Sequence, residues 1–173
     1  GWLRWCVPRE YGGIHESLDV RSLCLIRETL AHYDGLADFS FAMQGLGSGA
    51  ISLYGNSEQK QNILEEVSAG RMIAGFALSE PDAGSDVAAM NSKAFSTSEG
   101  WKVNGEKSWI SNGGIADYYT LFAKTSDQPG SGGISAFLLK ADNPGLSIAE
   151  RQEVMAPHPL ARLQLKDAML KRE

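Results

Sequence analysis

The first third of the chain carries apolar residues at the three- and four-residue spacing of amphipathic helices. Ser17 is predicted to cap the first helix, which continues to about Tyr33. A second apolar stripe covers 39–53, where three glycines weaken the helix, each by up to about 1 kcal/mol relative to Ala. Ser57 is predicted to begin a third helix, which Gly70 is well placed to end.

After Gly70 the pattern changes to short apolar runs bounded by Gly, Pro and Asn, which is typical of β strands. Asn104 and Gly105 tolerate positive φ, so the segment from Val103 to Glu106 predicts a two-residue hairpin. The order of elements indicates a helical domain over 1–70 and a compact antiparallel β domain over 71–173. The predicted strands cover 72–79, 93–95, 101–103, 117–125, 134–140, 146–149 and 163–165.

Composition excludes several classes of function. The chain has 173 residues, of which 43% are hydrophobic and 21% charged, as in ordinary globular proteins. A net charge of −5 gives no support to nucleic-acid binding. Cys6 and Cys24 lack the spacing of a metal site and favour a reducing compartment. No apolar run approaches the roughly 20 residues of a membrane span. The chain begins with Gly1 rather than Met and stops in a charged run, so we expect both ends to be cut.

The first candidate site is the stretch FALSEPDAGSD at 76–86, where a strand-like run stops at Pro81. A short turn of small residues follows, with hydroxyls at Ser79 and Ser85. One interpretation is an ordinary surface turn, because Pro, Asp, Gly and Ser are the usual turn residues. The other is a cradle in which backbone N–H groups and hydroxyls meet an anionic or polar ligand.

The second candidate site is the stretch WISNGG at 109–114. One interpretation is a buried strand Trp109 followed by a turn. The other is an aromatic face that packs against a planar ligand, with the Ser111 hydroxyl reaching the heteroatoms of that ligand.

Together the two stretches resemble the acyl-CoA dehydrogenase family. Three further segments fit that pattern in order and spacing, namely VPREYGG at 7–13, YGNSEQK at 54–60 and VNGEK at 103–107. The resemblance implies an α+β fold, with a partial N-terminal α-helical domain followed by an antiparallel β-barrel middle domain. The helical bundle that completes the family's fold at the C-terminal end would be absent from this chain.

The resemblance also implies FAD as the cofactor. The backbone at Phe76 and Leu78 and the hydroxyl of Ser79 would contact the flavin ring. Hydrogen bonds at the N1/O2 edge of the ring would stabilise the negative charge that arrives there on reduction.

The other residues of the two stretches would meet other parts of the ligands. Ser85, beside Gly84, would approach the FAD pyrophosphate or the acyl-CoA substrate, since short side chains permit close approach. Trp109 would pack against the dimethylbenzene side of the flavin, and Ser111 would hydrogen-bond near N5, the atom that receives hydride.

The reaction implied by the resemblance is α,β-dehydrogenation of an acyl-CoA thioester, in which a carboxylate removes the α proton. The family's base lies in the C-terminal domain, so no catalytic base is assigned in this chain. Glu80 is interpreted as structural and Asp86 as a cap for the residues that follow. We therefore expect the isolated chain to bind FAD weakly or not at all, and to be inactive.

Partners and location follow from the same resemblance. They are an acyl-CoA substrate, electron-transfer flavoprotein as the electron acceptor, and a homotetramer or homodimer for the full-length protein. The compartment would be the cytoplasm in a bacterium or the mitochondrial matrix in a eukaryote. Three alternatives stay open: an acyl-CoA oxidase, a flavin monooxygenase of the same fold, or a non-catalytic binding domain.

Overall fold

The computed structural model describes residues 1–172 and divides them into two compact units. The first unit is Gly1–Ala74 and the second begins at Gly75. Among the described residues, no helix combines the length and the apolar character needed to cross a membrane.

The first unit is built from three helices, as the apolar stripes predict. They are α1 (Val20–Tyr33), α2 (Gly35–Tyr54) and α3 (Ser57–Ala69). The central helix α2 packs against both α1 and α3. The three helices bury apolar side chains at helical spacing, namely Ile26, Phe41, Met43, Ile51, Ile63, Leu64 and Val67.

The helix ends confirm two sequence signals and correct a third. Asp19, not Ser17, caps α1, because its carboxylate accepts a hydrogen bond from the Ser22 N–H at 3.1 Å. Helix α3 begins at Ser57, as predicted, behind a capping box formed by Asn56 and Gln59. Gly70 ends α3 in the left-handed conformation, with φ +73°, as its position predicts.

The second unit is a seven-stranded sheet with the order β1-β4-β2-β3-β7-β6, and β5 pairs with β4. The sheet is curled into a half-barrel. Its strands are β1 (Ala74–Ala77), β2 (Lys93–Ser96), β3 (Trp101–Ser111), β4 (Tyr118–Lys124), β5 (Ile134–Lys140), β6 (Leu146–Arg151) and β7 (Leu160–Leu170).

The sheet is mixed, so the expectation of an antiparallel domain is wrong for the pair of β2 and β4. Strand β2 runs parallel to β4 at Lys93 and Lys124. Strand β3 lies between them in the chain and is antiparallel to β2. Strand β4 reverses direction again after β3, so it runs in the same direction as β2. It pairs with the edge of β2 that β3 does not occupy and is therefore the parallel neighbour of β2.

The predicted hairpin at 103–106 is also wrong, because β3 runs through it without interruption. The Asn104 side chain instead bonds across to β7: its Oδ1 accepts from the Asp167 N–H at 2.8 Å, and its amide donates to the Asp167 carboxylate. Asp167 is the bulged residue of β7, at φ +50°. Gly105 lets Ser92 approach closely, since a Cβ at Gly105 would lie 2.1 Å from the Ser92 Oγ.

The core of the second unit is formed by buried side chains that the strands of the sheet contribute. Its large side chains are Tyr119, Leu121, Leu139, Leu163 and Leu165. The segment predicted at 163–165 proves to be the middle of an eleven-residue strand, β7. This strand is the long partner of β3 and fixes the part of β3 that carries the second candidate stretch.

Candidate functional site

The first candidate stretch begins at the end of strand β1 and then forms a tight turn. Strand β1 ends at Ala77, and the N–H and C=O of Glu80 both bond to the backbone of Ala83. Pro81 and Asp82 stand exposed at the tip of this turn. The turn that the small residues predict is therefore present.

A buried ion pair between Lys107 and Glu80 stabilises this turn. The Lys107 Nζ lies 2.8 Å from the Glu80 Oε1, and the two side chains are 0% and 4% exposed. The same carboxylate accepts from the backbone N–H of Asn91 at 2.5 Å and of Ser92 at 3.0 Å. Lys107 also donates to the carbonyl of Leu78 at 3.0 Å. The pair thus fixes the backbone on both sides of Ser79, which confirms a structural role for Glu80.

The surroundings set the protonation state of the pair. Burial raises the pKa of the Glu80 carboxyl, but hydrogen bonds from Lys107, Ser92 and Asn91 outweigh burial and hold that pKa below its usual value. Burial lowers the pKa of the Lys107 ammonium, and its attraction to Glu80 opposes that shift. Glu80 is therefore an ionised carboxylate with its lone pairs already engaged, which is unsuited to abstracting a proton.

Lys107 supports the candidate site, and the sequence pattern did not predict it. Val103 and Lys107 are four residues apart, so they share one face of an uninterrupted strand, and Val103 is buried. A lysine at an inward strand position is a signal for a buried partner. The predicted hairpin at 103–106 concealed this signal by breaking the strand between the two residues.

One backbone hydrogen bond joins the two candidate stretches. The N–H of Ser108 donates to the carbonyl of Ser79 at 2.9 Å. The structure therefore places Ser79 beside the segment that leads into Trp109 and Ser111. The hydroxyls of Ser79 and Ser111 are half-buried and have no hydrogen-bond partner among residues 1–172, so both are free to bond a ligand.

Trp109 is presented outward by a bulge in β3. The register against β7 shifts between Lys107 and Ile110, and Trp109 has φ +60° and is 58% exposed. The interpretation as a buried strand tryptophan is wrong, and an exposed aromatic face is what the alternative requires. The N–H of Trp109 donates to the Gln152 Oε1 at 2.9 Å. Sequence gives no signal for Gln152, which lies 43 positions further along the chain.

The remaining predicted residues occupy two environments. Gly84 and Ser85 are exposed on the far side of the turn. The Phe76 ring packs on the Phe122 ring, with centroids 5.0 Å apart. Asp86 precedes a short helical turn, but its backbone carbonyl, not its side chain, accepts the N–H of Ala89. Asp86 thus occupies the N-cap position, as predicted, but makes no side-chain capping hydrogen bond.

Both units match known protein families. A sequence model of the acyl-CoA dehydrogenase N-terminal domain matches residues 1–71, and one of the acyl-CoA dehydrogenase middle domain matches residues 75–168. The probable acyl-CoA dehydrogenase fadE25 of Mycobacterium leprae is 38% identical over 147 residues, which make up 85% of this chain and 37% of that relative. The chain thus spans well under half the length of this relative.

Solved structures give the same result for the fold. The butyryl-CoA dehydrogenase of Megasphaera elsdenii superposes with a TM-score of 0.91 at 30% identity, over 99% of this chain and 46% of that chain. An acyl-CoA dehydrogenase of Bacillus anthracis complexed with FAD gives a TM-score of 0.86 at 33% identity, over 99% of this chain and 29% of that one. Because the middle-domain match alone covers more than half of the residues, the chain belongs to the acyl-CoA dehydrogenase family.

Proposed function

We propose that this chain forms the flavin-facing wall of an active site for FAD-dependent α,β-dehydrogenation of an acyl-CoA thioester. The hydrogen bond from Ser108 to Ser79 carries the proposal, because it brings the two candidate stretches side by side. When bound, the flavin supplies the acceptor for the hydride that leaves the β carbon. The chain supplies the surface that binds and orients the ring.

The side chains at this surface fit a flavin. A planar, mostly apolar ring with a polar edge needs an aromatic or apolar face and a few hydrogen-bond donors. Trp109 offers an exposed indole, and the hydroxyls of Ser79 and Ser111 offer donors that no described residue uses. We propose that the hydroxyls bond the polar edge of the ring while the indole packs against its dimethylbenzene side.

We propose that the exposed turn meets a phosphate-bearing part of FAD or of the acyl-CoA. A Cβ built at Gly84 would meet no heavy atom within 4 Å, so nothing in the described residues blocks an approaching ligand there. Ser85 adds an exposed hydroxyl next to it. The backbone at Leu78 and Phe76 would line the same wall, with the Leu78 carbonyl already held by Lys107.

We propose that the base which removes the α proton is not among residues 1–172. Glu80 is the one buried carboxylate of the described residues, and its oxygens accept bonds from Lys107, Ser92 and Asn91. Freeing it for proton transfer would leave Lys107 buried without its partner, which costs several kcal/mol. We therefore expect this chain alone to show no acyl-CoA dehydrogenase turnover.

For the whole protein, membership of the family supports an acyl-CoA as substrate and electron-transfer flavoprotein as electron acceptor. We propose both, with a homotetramer or homodimer as the assembly. A stopped-flow measurement of how fast the reduced full-length protein reacts with oxygen tests the acceptor. Slow reoxidation by oxygen is expected of a dehydrogenase, and fast reoxidation would assign the protein to an oxidase or monooxygenase instead.

FAD binding to the chain tests the proposed wall directly. Titration with FAD, followed by tryptophan fluorescence, should give weak, saturable quenching with a dissociation constant above about 10 μM, since only one side of the ring is covered. The chain has four tryptophans, so the matched variant Trp109→Phe identifies the signal, and most of the saturable quenching should disappear with it.

Two results would contradict the proposal in different ways. A yellow, stoichiometric complex that survives gel filtration would show that the cofactor site is complete rather than a single wall. Quenching that does not saturate, or that is the same in Trp109→Phe, would remove the flavin from this surface.

A further inference from the structure

Trp109 has a backbone conformation that its side chain does not favour. Three non-glycine residues of the described chain have positive φ, and two of them, Asn112 and Asp167, are of the types that tolerate it. Trp109, at φ +60°, is the third. A bulky residue keeps such a conformation only when its surroundings hold it there, and strained residues of this kind cluster at functional sites.

The side chain of Gln152 supplies that hold. The bulge takes the N–H of Trp109 out of the regular ladder, and the Gln152 Oε1 accepts it at 2.9 Å. The Gln152 Nε2 donates to the Ser108 Oγ at 3.4 Å, so one amide spans both residues at the centre of the bulge. Gln152 is itself fixed, because its own N–H donates to the carbonyl of Leu160 at 2.8 Å.

The Gln152 amide supports a different part of the candidate site from the ion pair of Glu80 and Lys107. Gln152 follows the last residue of β6 and is half-buried, while the indole that it helps to place is largely exposed. Lys107 and Glu80 hold the turn that follows Ser79, and neither bonds to Trp109. The two stretches of the wall are thus held by two different polar groups.

We propose that Gln152 is a positioning residue, which fixes the bulge so that the Trp109 indole faces outward for the flavin ring. The role of the indole rests on the proposed function, whereas the hold on the bulge does not. The two statements can therefore be tested separately, with and without FAD.

The hold is tested on the chain without FAD. Gln152→Met removes the amide but keeps the length of an unbranched side chain, and Gln152→Glu keeps an oxygen that can accept from Trp109. Gln164→Met is the matched control, since Gln164 also bonds a backbone group, the carbonyl of Gly105 at 2.9 Å, beside the other bulge. Trp109→Phe assigns the Trp109 signal among the four tryptophans in ¹⁹F NMR of 5-fluorotryptophan-labelled protein.

We expect Gln152→Met to shift or broaden the Trp109 resonance and to speed exchange of the Trp109 N–H by about tenfold or more. Gln152→Glu should bring both measurements back toward the original chain, and Gln164→Met should leave both unchanged. Circular dichroism checks that each variant is folded. A Gln152→Met variant that failed to fold would be replaced by Gln152→Ser, for which the same shift and exchange are expected.

A Trp109 resonance that stays in place in the folded Gln152 variants would overturn the proposal. So would equal changes at all four tryptophans, because they would show a loss of general stability instead of a local hold. Addition of FAD then tests the second statement: the Trp109 resonance should move with FAD, and Gln152→Met should weaken that response by about tenfold. If the variants act as expected but FAD moves no resonance, Gln152 still positions the bulge, and the proposed binding of flavin at Trp109 is wrong.

Discussion

At the scale of single residues, the ion pair of Glu80 and Lys107 is the interaction on which the candidate site most depends. Removing one partner of a buried pair leaves an uncompensated charge, whereas removing both can be nearly neutral. The pair also forms hydrogen bonds with three backbone groups around the turn. Loss of the pair would therefore loosen the backbone on both sides of Ser79.

We predict that Lys107→Met destabilises the chain by about 3–5 kcal/mol, since it leaves the Glu80 carboxylate buried without a cation. The double variant Glu80→Gln/Lys107→Met should lose less than Lys107→Met alone, because the amide oxygen still accepts from the Ser92 N–H and carries no charge. Urea unfolding of the single and double variants measures the coupling. If the two single losses simply add, the two side chains act independently and the interpretation of the pair is wrong.

The same comparison has a pH signature. The folded-state pKa of Glu80 lies below its ordinary value of 4.5, so the folded state favours the ionised form. The pair then stabilises folding above about pH 4.5, and this stabilisation falls as the pH drops below that value toward the folded-state pKa. Urea midpoints should fall more steeply with acid in the original chain than in the double variant, and parallel slopes would contradict this.

At the scale of elements, the Asn104–Gly105 pair shows that one local sequence can serve two structures. The pair is a strong hairpin signal when read alone. In the folded sheet Asn104 bonds Asp167, and Gly105 gives room for Ser92. Both partners lie outside any short window around the pair, so local pattern could not have distinguished the bulge from the turn.

We predict that Gly105→Ala destabilises the second unit by about 1–3 kcal/mol or more, because its Cβ would lie 2.1 Å from the Ser92 Oγ and 2.7 Å from the Ser92 Cα. Gly49→Ala is the control, since a Cβ there meets no heavy atom within 4 Å and α2 would gain up to about 1 kcal/mol of helix propensity. Thermal unfolding of both variants is the measurement. A neutral Gly105→Ala would mean that the sheet relaxes easily at this position.

The elements that the sequence predicted well are those whose defining residues lie close together in the chain. Helix α3 carries its cap at the start and Gly70 at its end, and β5 matches its apolar run residue for residue. What escaped prediction is set by contacts between distant positions: the pairing of Glu80 with Lys107, the hold of Gln152 on Trp109, and the parallel pairing of β2 with β4. The site residues of the two stretches came from a motif, and the groups that support them came only from the fold.

At the scale of the whole molecule, α2 exposes large apolar side chains. Leu46, Leu53 and Tyr54 are exposed, the last two by 62% and 88%. Leu46 and Leu53 are seven positions apart, so they lie on one face of the helix. Exposed apolar side chains on one helix face favour association, and a net charge of −5 on 173 residues opposes it only weakly.

We therefore predict that the chain self-associates in about 0.15 M salt, where charge repulsion is screened beyond roughly 8 Å. Leu46→Lys/Leu53→Lys should shift it toward the 18.7 kDa monomer in light scattering. The control Gln61→Lys/Asn62→Lys adds the same two charges to exposed positions of α3 without removing apolar side chains. If the control disperses the chain equally well, net charge rather than the α2 face governs association. A monodisperse monomer in the original chain would contradict the prediction outright.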